Sequence, residues 1–230
     1  MATIEENVQG VKARIARAAR AAGRDPESVT LLAVSKTHPV ERIAQAKAAG
    51  LRAFGENYVQ EATAKMAALD EMRLAGIEWH LIGPLQANKT RIAAERFDWV
   101  QTVDRVKIAS RLSEQRPAHL PPLNVLIQVN VSGEATKSGV AVKEVTALAT
   151  AIAALARLRL RGLMAIPAPA AGSDFSKMRQ LYDELRPRFA FDTLSMGMSD
   201  DMDEAIAAGA TMVRIGTAIF GERKPEKSAA

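Results

Sequence analysis

A lysine closing an apolar run is the first residue here whose type and place could do chemistry. Val29 to Val34 are all apolar or β-branched, and Ser35-Lys36 follow. Such a run reads as a strand buried on both faces, as in a parallel sheet. It puts the Lys36 amine at the rim of a core. Burial favours the neutral amine, and a neutral amine can attack a carbonyl to form a Schiff base. The competing reading is a solvated lysine opening the turn before Pro39.

A second set lies near the other end of the chain, in Ser195 to Ser199 (SMGMS) and Arg214 to Thr217 (RIGT). Gly197 and Gly216 let backbone N–H groups approach an anion closely. Ser199 is expected at a helix N-terminus, where free N–H groups and the helix dipole favour negative charge. Thr217 adds a hydroxyl and is expected to open a short helix. Read singly, both glycines are also consistent with ordinary turns.

The elements that must position these residues follow from periodicity and punctuation. A helix is predicted from about Ile4 to Ala22, stopped by Gly23. Strands are predicted at Val29 to Ser35, Ala53 to Gly55, Ile77 to Ile82, Trp99-Val100, Leu123 to Val131, Leu158 to Ile166, Thr193-Leu194 and Thr211 to Ile215. Helices follow them, with Asn57, Asp104 and Ser199 as candidate caps, and one helix running from Asp174 to Arg186 with Pro187 just past it. Strict strand–helix alternation over eight units predicts a single (β/α)8 TIM barrel, in the α/β class, with an extra N-terminal helix. An open doubly wound sheet is the alternative. The barrel is expected to span 1–221, with 222–230 a flexible tail.

In such a barrel the active site lies at the C-terminal ends of the strands, and phosphate binds in the loops after strands seven and eight. That rule selects Lys36, Asn57, His80, Ile82, Asn130, Met164, Ser195 to Ser199 and Arg214 to Thr217, with Ser199, Arg214, Gly216 and Thr217 the members of the last two segments whose chemistry suits an anion. A Schiff-base lysine and a phosphate cup at one mouth match the aldehyde and phosphate ends of pyridoxal phosphate. Arg214, two residues before Gly216, could approach the ring nitrogen.

The remaining candidates are weaker. His38 precedes Pro39 and reads as a turn residue rather than a base. His80 reads as a hydrogen-bonded barrel histidine, and His119 as surface. Asp200-Asp201 and Asp203-Glu204 suit the first turns of a helix. Met196, Met198 and Met202 suit packing. No pair of residues has metal-ligand spacing, so no metal site is expected.

Composition bounds the function classes. The chain has 230 residues, 48% hydrophobic and only 4% aromatic, which allows one large aliphatic core. Without cysteine there is no thiol nucleophile or thiolate metal site. The formal charge of +5 is spread along helices and interleaved with acids, so nucleic acid is not the expected partner. No run approaches a membrane span, and a cytoplasmic protein is expected.

The segments LLAVSKTHP, FGENYVQE, WHLIGPLQANK, QVNVSGEATKSG, LRGLMAIP, LSMGMSDD and VRIGTAIFG resemble the pyridoxal phosphate homeostasis proteins. That family is similar to the barrel half of bacterial alanine racemase, and the resemblance runs from Leu31 to Gly221. It implies pyridoxal 5'-phosphate as cofactor, Lys36 as the Schiff-base lysine, and Ser199, Gly216 and Thr217 on the phosphate. It places Arg214 at the pyridine nitrogen and makes Asn57 and Ile82 pocket walls. The chain departs from the racemase pattern in two ways. It stops just after strand eight, without the β-rich domain that lends a tyrosine base, and Lys137 stands where the racemase has an arginine. The second acid–base group that racemisation needs is therefore not evident, and no catalytic residue is assigned.

Three functions compete at this point. The first is a binding protein that stores, buffers or delivers the cofactor, with cofactor-dependent apo-enzymes as partners and a monomer, or a weak dimer, as its state. The second is a racemase-like enzyme on small amino acids. The third is a Schiff-base aldolase with a sugar phosphate in the cup. The resemblance favours the first.

Overall fold

The computed structural model describes residues 2–134, 137–167 and 172–222. Helix α1 (Ile4–Ala21) comes first. Its Ile4, Val8, Val11, Ile15 and Ala19 recur every three or four residues and are buried. Thr3 caps it: the Thr3 hydroxyl accepts the Glu6 N–H at 3.1 Å, and the Glu6 carboxylate accepts the Thr3 N–H at 2.7 Å.

The barrel strands are β1 (Thr30–Val34), β2 (Ala53–Glu56), β3 (Glu78–Leu81), β4 (Trp99–Val103), β5 (Leu123–Asn130), β6 (Leu158–Met164), β7 (Thr193–Ser195) and β8 (Met212–Ile215). Every pairing is parallel. β1 pairs with β2 and with β8, and β4 pairs with β5, so the sheet closes on itself. That closure excludes the open doubly wound alternative. A two-residue strand, Val140–Ala141, adds to the end of β5 and was not foreseen in the loop that follows it.

The remaining helices are α2 (Val40–Ala48), α3 (Val59–Glu71), α4 (Thr90–Arg96), α5 (Val106–Gln115), α6 (Val145–Ala153), α7 (Gly172–Phe189), α8 (Met202–Ala207) and α9 (Thr217–Phe220). The main core lies between helices and sheet. Alternate strand residues point into the barrel, where Leu32, Val34, Ala53, Ile82 and Met212 form one small cluster and Trp99, Leu126 and Met164 another.

Four boundary expectations need correction. Tyr58, not Asn57, is the N-cap of α3, and Arg105, not Asp104, is that of α5; neither side chain makes a capping bond. Helix α7 runs through Pro187, because that proline is two residues from the end and removes only one late backbone bond. Ser199 does not cap α8. Asp201 holds that position, and its carboxylate turns back to accept the Met198 N–H at 2.6 Å. The expected tail lies outside the described residues from 223 onward.

Candidate functional site

The strand ends converge on one cavity of about 390 Å³ at the C-terminal mouth of the barrel. Lys36, Asn57, Ile82, Ser199, Arg214, Gly216 and Thr217 all line it, although they come from five different segments of the chain. Asn130 and Met164 do not. Met164 is buried inside the barrel, and Gln128, two residues before Asn130 on the same strand face, lines the cavity instead. Among the described residues its cations are Lys36, Lys137 and Arg214, against one carboxylate, Asp200, a balance suited to an anion.

Each wall has a local cause. Lys36 lies two residues past the end of β1, and Gly216 and Thr217 follow β8, its parallel neighbour. A Cβ on Gly216 would come 3.3 Å from the Val34 carbonyl oxygen, so glycine keeps the two strand ends close. Gly197 has φ +93°, and its carbonyl accepts the Arg214 N–H at 3.0 Å, tying one loop to the other. From outside, Arg14 on α1 donates to the Ser199 carbonyl at 2.7 Å and pairs with Asp203 at 3.0 Å. Asn7 donates to the Ile219 carbonyl at 2.9 Å. The extra helix thus braces both loops of the expected phosphate cup.

Beneath the cavity a polar chain runs through the barrel. Arg214 Nη1 donates to Ser195 Oγ at 2.9 Å, and Ser195 Oγ donates to Gln101 Oε1 at 2.7 Å. Gln101 Nε2 lies 2.9 Å from His80 Nδ1, and His80 Nε2 lies 2.8 Å from Glu78 Oε1. With the amide donating to Nδ1, the imidazole proton sits on Nε2 and points at Glu78. Every bond then donates in one direction, from the guanidinium to a half-exposed carboxylate. Burial pushes the His80 pKa down, opposed by Glu78, so the ring is neutral at neutral pH. His80 is sealed inside the barrel, stacked 5.1 Å from Trp99, and does not reach the cavity.

Arg214 is buried, with its pKa pushed down to about 10 by loss of solvent. Its hydrogen bonds go to neutral groups, Ser195 and the Ala165 carbonyl at 2.8 Å. A buried cation without a hydrogen-bonded carboxylate is costly, and a polar acceptor beside it would lower that cost. The cavity thus offers an amine, hydroxyls with a glycine backbone, and a guanidinium, groups that suit an aldehyde, a phosphate and a ring nitrogen respectively.

The other candidates fall as follows. His38 lines the cavity and stacks on Phe220 at 5.0 Å, so it is more than the turn residue expected from its sequence context. Tyr58 is 63% exposed, and Tyr182 is buried on the outer side of the sheet, donating to the Phe191 carbonyl at 3.2 Å. Neither tyrosine lines the cavity. Asp203 and Glu204 lie in the first turn of α8, as expected for the helix dipole. Among the described residues no cluster of His, Cys, Asp or Glu could hold a metal ion.

Comparison with known proteins agrees with this geometry. The alanine racemase N-terminal domain model matches residues 7–224. The chain belongs to that family. A pyridoxal phosphate homeostasis protein of Pseudomonas aeruginosa is 60% identical over 228 residues, covering 97% of each chain. Its Escherichia coli counterpart is 56% identical over 233 residues, covering 99% of this chain and all of that one. PipY of Synechococcus elongatus, solved with PLP bound, aligns with a TM-score of 0.77 at 38% identity, covering 90% of this chain and 100% of that one.

Proposed function

We propose that this protein binds pyridoxal 5'-phosphate in the cavity at the barrel mouth and serves its homeostasis, holding and releasing the cofactor without a turnover of its own. The observation that carries this reading is the convergence of Lys36, Arg214, Ser199, Gly216 and Thr217 on one cavity. When bound, the cofactor supplies an aldehyde that condenses with an amine and a ring able to accept electrons. Lys36 offers the amine. Ser199, Thr217 and the Gly216 backbone hold the phosphate, with Asn57 and Ile82 as walls. Arg214 faces the ring nitrogen as a donor that stays charged at neutral pH, so it disfavours a proton there and limits the ring as an electron sink.

The non-catalytic part rests on what the cavity lacks. Racemisation needs a proton-transfer group on each face of the substrate α-carbon. Lys36 can serve one face. No tyrosine lines the cavity, and His80 is sealed off. His38 does line it, and this favours a second reading, a racemase-like enzyme in which His38 is the other base. Holo-protein is incubated with L-alanine while chirality and α-proton exchange are followed. No racemisation supports the homeostasis reading. Turnover at ~1–10³ per second, lost in His38→Ala, overturns it. Release of the cofactor to apo-enzymes by exchange of the lysine for another amine belongs to the same proposal.

No helix among the described residues is long and apolar enough to cross a membrane.

A further inference from the structure

A buried ion cluster lies directly behind Lys36. The Lys65 ammonium, on α3, donates to the Ser35 carbonyl at 2.8 Å, to Glu56 Oε1 at 2.8 Å and to Glu61 Oε1 at 2.6 Å. The Ser35 hydroxyl donates to the same Glu56 oxygen at 2.6 Å. Glu61 Oε1 also accepts the backbone N–H of Thr37 at 2.6 Å. The cluster therefore grips the residue before Lys36 and the residue after it. None of its charged members lines the cavity.

This is an expensive arrangement to keep for stability alone. Glu56 and Lys65 are both buried, and desolvating an ion pair commonly offsets its attraction. Burial is the main influence on Glu56 and pushes its pKa up, with Lys65 opposing it. Thr37 has φ +66°, a left-handed conformation that a β-branched residue rarely adopts. Such strain persists only where surrounding contacts impose it, and it gathers at functional sites. Here the imposing contact is the Glu61 carboxylate on the Thr37 N–H.

We propose that Glu56, Glu61 and Lys65 are positioning residues for Lys36, clamping the strained turn on both sides so that the lysine enters the cavity in a fixed direction. The inference rests on the reading of Lys36 as the residue that condenses with the cofactor. It adds that the amine's placement is set by charges that lie outside the cavity lining. Lys65 is the keystone, because it bridges two carboxylates and the Ser35 carbonyl. Glu61 is the most accessible member and the safest to change.

A thermodynamic cycle separates positioning from general damage. Cofactor affinity is measured for the unmodified chain, Glu61→Ala, Lys36→Ala and the double variant, and borohydride-reduced samples are mapped by mass spectrometry. The expectation is that Glu61→Ala weakens binding roughly tenfold when Lys36 is present, as expected for loss of a charge-assisted bond. In the Lys36→Ala background the same change moves affinity less than about twofold, since only the covalent component depends on the turn. Glu61→Gln, which keeps the acceptor for Thr37, recovers most of the loss. Equal effects in both backgrounds, or no effect in either, overturn the clamp. A reduced adduct absent from Lys36 in the unmodified chain overturns the underlying reading instead. Should Glu61→Ala fail to fold, the same cycle is run with Thr37→Gly. Thr37→Gly relieves the strain and should loosen the turn, weakening binding only when Lys36 is present.

Discussion

Gly197→Ala should loosen the site and the fold together, and the structure gives the size. An alanine Cβ at Gly197 would lie 2.4 Å from the Ala205 Cβ, whereas unstrained carbons sit roughly 3.5–4.0 Å apart. The loop or α8 must therefore shift by about 1 Å. Overpacking of that kind costs ~1–3 kcal/mol. The backbone adds its own cost, because φ is +93° and a non-glycine residue held there costs ~1–3 kcal/mol. The two together come to roughly 2–6 kcal/mol, a large part of the ~5–15 kcal/mol that typically holds a domain together. Gly216→Ala is the internal control: its φ is −112°, and its Cβ would meet the Val34 carbonyl oxygen at 3.3 Å, a contact that small shifts relieve. It should cost less than ~1.5 kcal/mol of stability. Urea unfolding followed by circular dichroism gives both values. Because the Gly197 carbonyl holds the Arg214 N–H and Met198 and Ser199 line the cavity, cofactor affinity should fall at least tenfold in Gly197→Ala. Equal stability losses in the two variants, or a Gly197→Ala change under ~0.5 kcal/mol, would refute the reasoning.

Two further outcomes follow from the buried polar chain. Lowering the Arg214 pKa from 12.5 to about 10 corresponds to a desolvation cost of about 3 kcal/mol, present at every pH below that value. Arg214→Met removes this cost along with two hydrogen bonds, so apo stability should change by under ~2 kcal/mol while cofactor affinity drops tenfold or more. A collapse of apo stability would contradict that balance. His80 has a folded-state pKa below its ordinary 6.5. Below pH 6.5 the unfolded chain takes up a proton that the native ring refuses, so stability falls with acid by up to about 1.4 kcal/mol per pH unit. His80→Gln should flatten that slope in denaturant titrations between pH 6.5 and 5, and an unchanged slope would show that the ring is not held neutral.

The barrel was legible because strand and helix periods alternate cleanly, and the strand-end rule then converts topology into a site. Lys36, Ser199, Arg214, Gly216 and Thr217 were found that way and share one cavity. Three features were not legible. Ser199 looked like a cap because serine before an acidic turn usually is one, but Asp201 takes the position and spends its carboxylate on Met198. His38 looked like a turn residue, since nothing in its sequence neighbourhood announces Phe220, which follows the last strand and comes beside it only through the pairing of β1 with β8, as a stacking partner. Glu56, Glu61 and Lys65 look like ordinary charged residues on a short strand and a helix. Only the i,i+4 spacing of Glu61 and Lys65 hints at pairing, and solvent exposure is the usual reading of such a pair. Their burial depends on β2 and α3 folding against the end of β1, a tertiary fact that local periodicity does not carry.

The central claim is that Lys36 carries the cofactor. Loaded protein is reduced with borohydride, digested and mapped by mass spectrometry, with Lys36→Ala treated in parallel. The account predicts a single pyridoxyl adduct on the peptide containing Lys36 and none in the variant. An adduct on Lys137 or Lys89 in the unmodified protein, or one that survives in Lys36→Ala, would contradict it.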